Sequence, residues 1–328
     1  MKVYNLEGEL LLMELYQQLI SSIAVLVGLI SLAMFLRWIG IIKEEDGQVF
    51  SKLVTHITLP ALIFVSLAKT SIDWNEGFLA LIMFVAEISS LALAWVLGRS
   101  MKLSGPQQGA FMLVSGFGSS SLLGYALISQ VFPENVQALT EAVVVSEIGV
   151  GPALFTIGTM LAMYYGGQKV DRKDRFSAAL KFFRSPIFIS VVAGIVWSSL
   201  KLPPDMPVVD TIFQGIKVLG KANTFAVVLT VGVLLRFSGL KAVLSMTAVA
   251  GFLKLILKPV MVWLPTLAMN MPDWQVQVLV IEAAMPSAML SVVLASSYGC
   301  DAKLASKLVF TTTLGSSITV PLMFRLLA

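Results

Sequence analysis

Apolar segments of membrane-span length recur along nearly the whole chain, and they constrain the fold more than any other feature. A bilayer core requires about 20 apolar residues per helix. Backbone polar groups in lipid must be hydrogen-bonded within the spanning structure, and the alternating pattern of barrel strands is absent. We therefore predict an all-α integral membrane protein with ten transmembrane helices, at about residues 19–39, 48–69, 78–98, 107–132, 141–166, 182–200, 211–235, 241–269, 274–298 and 303–327.

The composition agrees with a membrane protein and argues against several function classes. The chain of 328 residues is 57% hydrophobic and 13% charged, whereas soluble domains carry about 25% charged residues. The single His56 and single Cys300 argue against a histidine or cysteine metal cluster and a disulfide framework. The sequence also has no HExxH, GxSxG or nucleotide-binding motif. We expect no enzymatic activity, no cofactor other than a coupling proton or sodium ion, and no nucleic-acid partner.

The lysine and arginine residues predict the orientation in the membrane. With the N-terminus outside, the inside loops carry fifteen of them and the outside segments about four. Basic loops mark the cytoplasmic side, so we expect a multi-pass protein of the cell membrane with both termini outside. The largest cluster, from Lys169 to Arg184, divides the chain nearly in half, and we interpret it as a cytoplasmic loop that sets the topology.

An internal repeat is the second organising feature. A shift of 167 residues overlays 121–130 on 288–297, both runs of small and aliphatic residues. Five segments per half make the second half enter the membrane from the opposite side, which gives an inverted repeat. We predict an N-terminal five-helix repeat at 1–166, a basic cytoplasmic loop at 167–181 and a C-terminal five-helix repeat at 182–328.

The fourth and ninth segments contain residues that interrupt helices. Gly118 and three consecutive serines lie in the centre of the fourth segment, and Pro286 lies in the ninth. Glycine and proline weaken or break helices, and the 167-residue shift places Ser119 on Pro286. If the breaks meet, the N-termini of the half-helices converge, which suits a carboxylate. The alternative is that small residues only allow close helix packing. The predicted substrate site comprises Gly118, Ser119, Ser120, Ser121, Pro286 and Ser287.

Charged side chains inside the segments are candidates for ion or proton coupling, because lipid disfavours them. The candidates are Glu87, Glu147, Glu282 and Lys254. Glu87 is the first choice, since no basic residue lies within a turn of it; the alternative is a structural ion pair with Lys254. Lys258, which precedes Pro259, is expected to extend toward an interface. Glu147 precedes residues 149–152, Gly-Val-Gly-Pro, which predict a further break in the fifth helix. Glu147 would then either face the site or bond to the amides that this break frees.

Several motifs resemble the auxin efflux carrier family, which has many prokaryotic members. They are residues 59–64 (Leu-Pro-Ala-Leu-Ile-Phe), 282–288 (Glu-Ala-Ala-Met-Pro-Ser-Ala) and 319–322 (Thr-Val-Pro-Leu). The resemblance implies a scaffold of helices 1, 2, 6 and 7, transport helices 3–5 and 8–10, a substrate site where helices 4 and 9 cross, and a homodimer. The family usually has an asparagine after the glycine of the fourth helix, where this chain has Ser119.

Taken together, these features predict a secondary active transporter of small organic anions that works by alternating access of the elevator type. The related bile acid–sodium symporters also place a glutamate early in a broken ninth helix, so a sodium-coupled carrier of that type stays an alternative. A passive channel or uniporter is another. A membrane enzyme has no motif in its favour.

Overall fold

The computed structural model describes residues 2–43, 45–68, 74–166, 183–200, 207–234 and 244–327. Within these ranges the chain is almost entirely helical and forms no strand beyond a one-residue bridge. The predicted basic loop at 167–181 lies outside them. Six helical stretches in the described part are long and apolar enough to cross a membrane: Met13–Trp38, Val49–Ala68, Gly77–Ser100, Val136–Tyr165, Val209–Val233 and Leu244–Thr266.

We number the helices in chain order. The N-terminal half contains α1 (Lys2–Trp38), α2 (46–68), α3 (Trp74–Ser100), α4 (Gly105–Gly116), α5 (120–131) and α6 (Val136–Tyr165). The C-terminal half contains α7 (Pro186–Ser199), α8 (Pro207–Lys221), α9 (Asn223–Leu234), α10 (Leu244–Thr266), α11 (Asp273–Ala284), α12 (Leu290–Tyr298) and α13 (Ala302–Leu327).

The helix starts follow local capping chemistry. Asn135 precedes α6, and its side-chain oxygen accepts hydrogen bonds from the amides of Gln137 and Ala138. Ser185 precedes α7 in the same way and accepts from the amide of Phe188, with Pro186 at the first helical position. Such side chains pair amides that the first turn leaves without an intrahelical acceptor.

Both predicted breaks are present. After α4 ends at Gly116, Phe117 is extended, and α5 begins at Ser120. After α11 ends at Ala284, the backbone is again extended, and α12 begins at Leu290. Pro286 lies inside the second break, where the amide that proline lacks is not needed for a helical hydrogen bond.

The two breaks pair with each other as an antiparallel bridge centred on Gly118 and Ser287. The amide of Ser119 donates to the carbonyl of Pro286 at 2.7 Å, and the amide of Ala288 donates to the carbonyl of Phe117 at 3.0 Å. These two bonds exchange when the chain is shifted by 169 residues, two more than the shift of 167 predicted from the sequence. The backbone polar groups at the breaks thereby satisfy each other in place of a helical partner.

Three other prolines widen a helix without breaking it. Pro60, Pro152 and Pro259 each come two residues after a π-helical stretch, in α2, α6 and α10. A proline cannot donate to the carbonyl four residues earlier and its ring crowds that carbonyl, so the preceding turn opens into a π-bulge. The predicted break at 149–152 is therefore wrong: α6 continues through these residues with a widened turn.

The helices pack in two groups. In the first, α7 and α8 lie against the second half of α2, and α1 lies against α9. Gly232 allows one of these contacts, because a Cβ there would meet the Ala33 Cβ at 2.6 Å. In the second group, α3 packs on α4, α6 and α10, and α13 packs on α11 and α12. The breaks lie between the groups. Phe117 packs in the apolar core of the second group, and Met285 packs in an apolar cluster that joins helices of both groups.

Candidate functional site

A cavity of about 1030 Å³ lies between the two helix groups. One wall comes from α2, α7 and α9, through residues such as His56, Ile187 and Thr230. The other wall comes from the first break, α6, the start of α12 and the start of α13. The cavity is thus bounded by both groups and ends at the crossing of the two breaks.

The N-termini of α5 and α12 both open into this cavity. The lining includes Ser119, Ser120 and Ser121 at the first N-terminus and Ala288 to Leu290 at the second. The first amides of a helix have no intrahelical acceptor and carry partial positive charge. The Ser119 Oγ atom is buried and has no hydrogen-bond partner among the described residues. The crossing therefore presents donors to a ligand in the cavity.

A hydrogen-bonded network of serines holds Glu147 in the cavity wall. Ser121 Oγ donates to Glu147 Oε1 at 2.7 Å, and the Tyr125 hydroxyl donates to the same oxygen at 2.9 Å. Ser146 Oγ lies 2.7 Å from Ser120 Oγ and 2.9 Å from Ser121 Oγ. The sequence left open whether Glu147 faces the site or bonds to freed amides; it faces the site and binds side-chain hydroxyl groups.

Pro286 and Ser287, the remaining predicted substrate residues, do not line the cavity. Pro286 borders a small, mainly apolar pocket of about 50 Å³ with residues of α1, α5 and α13. Ser287 is bonded to α13, because Thr312 Oγ1 donates to its hydroxyl at 3.0 Å and accepts from its amide at 3.3 Å. The crossing thus separates the large cavity from the small pocket. Of the six predicted substrate residues, the structure brings the four from the first break into the cavity.

Two buried lysines of α10 lie behind the crossing. Lys258 forms an ion pair with Glu87 and donates to the carbonyl of Gly116 at 3.2 Å. Lys254 donates to the carbonyl of Ala283 at 2.8 Å. The alternative of an ion pair for Glu87 named the wrong partner, because Glu87 pairs with Lys258 and not with Lys254. The prediction that Lys258 extends toward an interface is also wrong, since its side chain is 1% exposed. The next turn of α10 places Lys258 rather than Lys254 beside Glu87.

Glu282, one turn before the second break, is also buried and does not line the cavity. Its carboxylate oxygens have no hydrogen-bond partner among the described residues. A Cβ on Gly124 would lie 2.4 Å from Glu282 Oε1, so the glycine of α5 makes room for this carboxylate. Tyr125, the next residue of α5, donates its hydroxyl hydrogen bond to Glu147. The two carboxylates therefore flank the first turns of α5, one in the cavity wall and one behind it.

Basic side chains that the sequence analysis did not assign to the site also line the cavity. Lys303 and Lys307 are four residues apart on α13, and His56 is exposed on α2. From the sequence, the two lysines counted only among the basic residues of the inside loops. Their spacing, which places both on one helix face, is the signal that could have linked them.

The sequence matches the profile of a family described as "Membrane transport protein" over residues 18–324. The chain belongs to this family. It is the auxin efflux carrier family that the motifs around residues 59 and 282 indicated.

This membrane transport protein has prokaryotic relatives of similar length. It is 28% identical over 311 residues to an uncharacterized transporter of Methanocaldococcus jannaschii, which covers 93% of this chain and 96% of the relative. An uncharacterized transporter of Methanothermobacter thermautotrophicus is 26% identical over 305 residues, with 92% and 96% covered. The transporter YfdV of Escherichia coli K12, also uncharacterized, is 23% identical over 285 residues, with 85% and 88% covered. Family membership and the apolar helices identify a multi-pass membrane protein of a transport family.

Proposed function

We propose that this membrane transport protein is a secondary active transporter of small organic anions, carboxylates in particular. The observation that carries the proposal is the convergence of two half-helix N-termini, those of α5 and α12, on one cavity. Each N-terminus carries about half a positive charge and unpaired amides. Interrupted helices of secondary transporters bind anionic groups in this way.

The charges of the cavity wall fit an anion. Lys303 and Lys307 line the wall, while Glu147 is the one carboxylate among the described lining residues. The hydroxyl of Ser119 and the first-turn amides of α5 can bond to a carboxylate oxygen. Ligand pockets usually measure about 300–1,000 Å³, so the cavity has room for a small carboxylate together with water.

The proposed architecture is ten transmembrane helices in two inverted five-helix repeats, at 1–166 and 182–328. Two observations support it. The hydrogen bonds of the crossing exchange under a 169-residue shift, and the same shift brings α4 close to register with α11 and α3 close to register with α10. An inverted repeat produces such a relation about a two-fold axis in the membrane plane.

Transport would proceed by elevator-type alternating access. The first helix group, α1, α2 and α7–α9, would be the scaffold, and the remaining helices would move. The cavity lies between the groups, and Ser287 is tied to Thr312 within the second group, so the crossing would travel with that group. Lys303 and Lys307 line the cavity, and with the basic loops on the cytoplasmic side the proposed state would be inward-facing in the cell membrane with both termini outside. We further propose a homodimer that forms through the scaffold.

Glu147, Glu282 and Glu87 are the proposed coupling carboxylates, together with Lys254. Glu147 would respond to the substrate, and its position in the cavity lining supports this role. The coupling ion in this proposal is a proton or sodium, and a sodium-coupled carrier of the bile acid symporter type is the alternative. A passive channel is less well supported, because the paired breaks separate the cavity from the pocket beyond them.

Uptake into proteoliposomes tests the proposal. Labelled monocarboxylates and dicarboxylates would be offered while pH and sodium gradients are varied separately. We expect saturable uptake and counterflow of preloaded substrate. Ser119→Ala should raise the KM by about tenfold, the effect of losing one hydrogen bond to a charged group, while Ser199→Ala on the exposed end of α7 should leave it unchanged. Single-channel currents without counterflow would instead favour a channel.

A further inference from the structure

Two ammonium groups lie at the C-terminal ends of the interrupted helices. The Lys254 Nζ atom is bonded to the carbonyl of Ala283 near the end of α11, at 2.8 Å. The Lys258 Nζ atom is bonded to the carbonyl of Gly116 at the end of α4, at 3.2 Å. The two lysines are 0% and 1% exposed. Each helix that precedes a break therefore has a buried lysine amino group at its C-terminal end.

Such helix ends attract cations. The last four carbonyls of a helix have no intrahelical donor, and the end carries about half a negative charge. In secondary transporters the C-terminal ends of half-helices and the adjacent unwound carbonyls coordinate sodium. In this protein the lysines approach those ends from α10, four residues apart on one face.

We infer that Lys254 and Lys258 act as tethered cations in place of a co-bound sodium ion, so that the protein binds its anion without sodium. The substrate part of this inference rests on the proposed carboxylate transport, whereas the cation part depends only on the crossing. It removes sodium from the two coupling ions left open above and assigns the two lysines a role in ion selectivity.

The two lysines differ in how their charge is balanced. Lys258 is paired with Glu87. Lys254 has no carboxylate partner within ion-pair distance among the described residues and contacts Gly118, where a Cβ would lie 2.9 Å from its Nζ atom. Gly118 belongs to the cavity wall. The amino group of Lys254 therefore lies directly behind the cavity wall, with only Gly118 between them.

The thermal unfolding midpoint of the purified full-length protein tests the cation part without any substrate. Sodium would be replaced by N-methylglucamine at constant ionic strength. We expect no difference for the wild type, because both helix ends already hold a cation. Lys254→Ala should lower the midpoint, and methylammonium or sodium should restore part of the loss. Lys217→Ala, at an exposed position of α8, is the matched control and should respond to neither ion.

A saturable, sodium-specific stabilisation of the wild type would overturn the inference, and this arm needs no variant. Lys254→Ala with the stability and the cation response of the wild type would also overturn it. In the transport arm, Lys254→Ala should weaken apparent carboxylate affinity by about tenfold, the loss expected for a neighbouring charge, with recovery in methylammonium. If no carboxylate is transported under any gradient, the proposed function fails while the thermal measurement still decides the cation part.

Discussion

The main-chain amide of Ser119 donates a hydrogen bond to the carbonyl of Pro286 at 2.7 Å. These residues lie in different halves of the chain, and the bond connects the two helix breaks directly. Its counterpart, from Ala288 to Phe117, completes the crossing. This pairing fixes where α5 and α12 begin, and therefore where Ser119 and the first amides of both helices lie in the proposed site.

The space that Gly124 provides for Glu282 predicts the effect of a methyl group. A Cβ at Gly124 would lie within 3.0 Å of all three carboxyl atoms of Glu282. We expect Gly124→Ala to destabilise the protein by about 1–3 kcal/mol, the usual cost of overpacking, and to slow transport. Gly251→Ala is the control, since nothing lies within 4 Å of its Cβ position. The double variant Gly124→Ala/Glu282→Ala should be more stable than Gly124→Ala alone. Equal destabilisation of the single and the double variant would contradict the contact between Gly124 and Glu282.

The hydroxyl groups bonded to Glu147 predict a difference between two substitutions. Glu147→Ala leaves Ser121 and Tyr125 without their shared acceptor, so we expect a loss of about 1–3 kcal/mol for buried groups left unpaired. Glu147→Gln keeps an oxygen in that place and should retain most of the stability while changing the dependence of uptake on the pH gradient. Glu134→Gln, at an exposed carboxylate, is the control. An unchanged pH dependence in Glu147→Gln would remove this residue from coupling.

The buried pair of Glu87 and Lys258 predicts non-additive effects. Removing one partner leaves the other charge buried, so Glu87→Gln and Lys258→Met should each cost about 3–5 kcal/mol. The double variant should cost much less than the sum, because no uncompensated charge remains. Unfolding of all three variants in detergent, with Lys217→Met as the exposed control, gives the coupling energy. Additive losses would show that the pair does not interact.

The environment of Cys300 predicts its reaction with maleimides. The thiol lies between α12 and α13, donates to the carbonyl of Ala162 at 3.3 Å, and has a pKa raised by burial to about 11. Thiols in an unfolded chain ionise near pH 8.5. Below the pKa, the thiolate fraction increases about tenfold for each unit by which the pH rises. The thiolate reacts, so alkylation of the folded protein should be slow at pH 7 and rise up to about pH 11.

The raised pKa of Cys300 also makes the stability of the protein depend on pH. The contribution of the buried Cys300 thiol to the free energy of unfolding is fully present below about pH 8.5. It is lost as the pH rises through about 11. Folded Cys300→Ser protein should therefore lose less stability than the wild type over this interval. Because the chain has one cysteine, alkylation also reports unfolding. Equal labelling rates in native and denatured protein at pH 7 would contradict the burial of the thiol.

The proposed inward-facing state predicts labelling from one side of the membrane. Ser296 lines the cavity on α12 and is exposed. In a Cys300→Ser background, Ser296→Cys should react with a membrane-impermeant maleimide from the side of the basic loops. Val136→Cys, at the start of α6 and 58% exposed, should react from the opposite side. Labelling of both cysteines from the same side would refute the proposed topology.

Local sequence predicted the elements and interruptions well, and the contacts between them less well. The breaks at Gly118 and Pro286 were predictable because glycine and proline act on their own turn. The same reasoning was wrong at Pro152, where a π-bulge absorbs the proline and α6 continues. Whether a proline causes a break or a bulge depends on which hydrogen-bond donors the neighbouring helices provide to the freed carbonyls. The sequence of a single segment does not contain that information.

The sequence by itself determined that the chain enters a membrane, where most helices lie and where two of them are interrupted, because apolar run length and backbone restrictions are local properties. Only the tertiary structure decided that Lys258 rather than Lys254 pairs with Glu87, and that Ser119 faces the cavity while Ser287 faces α13. The two lysines are the same residue type, as are the two serines, so the sequence does not distinguish their roles. Their roles depend on helix rotation and register, which packing across the two halves fixes.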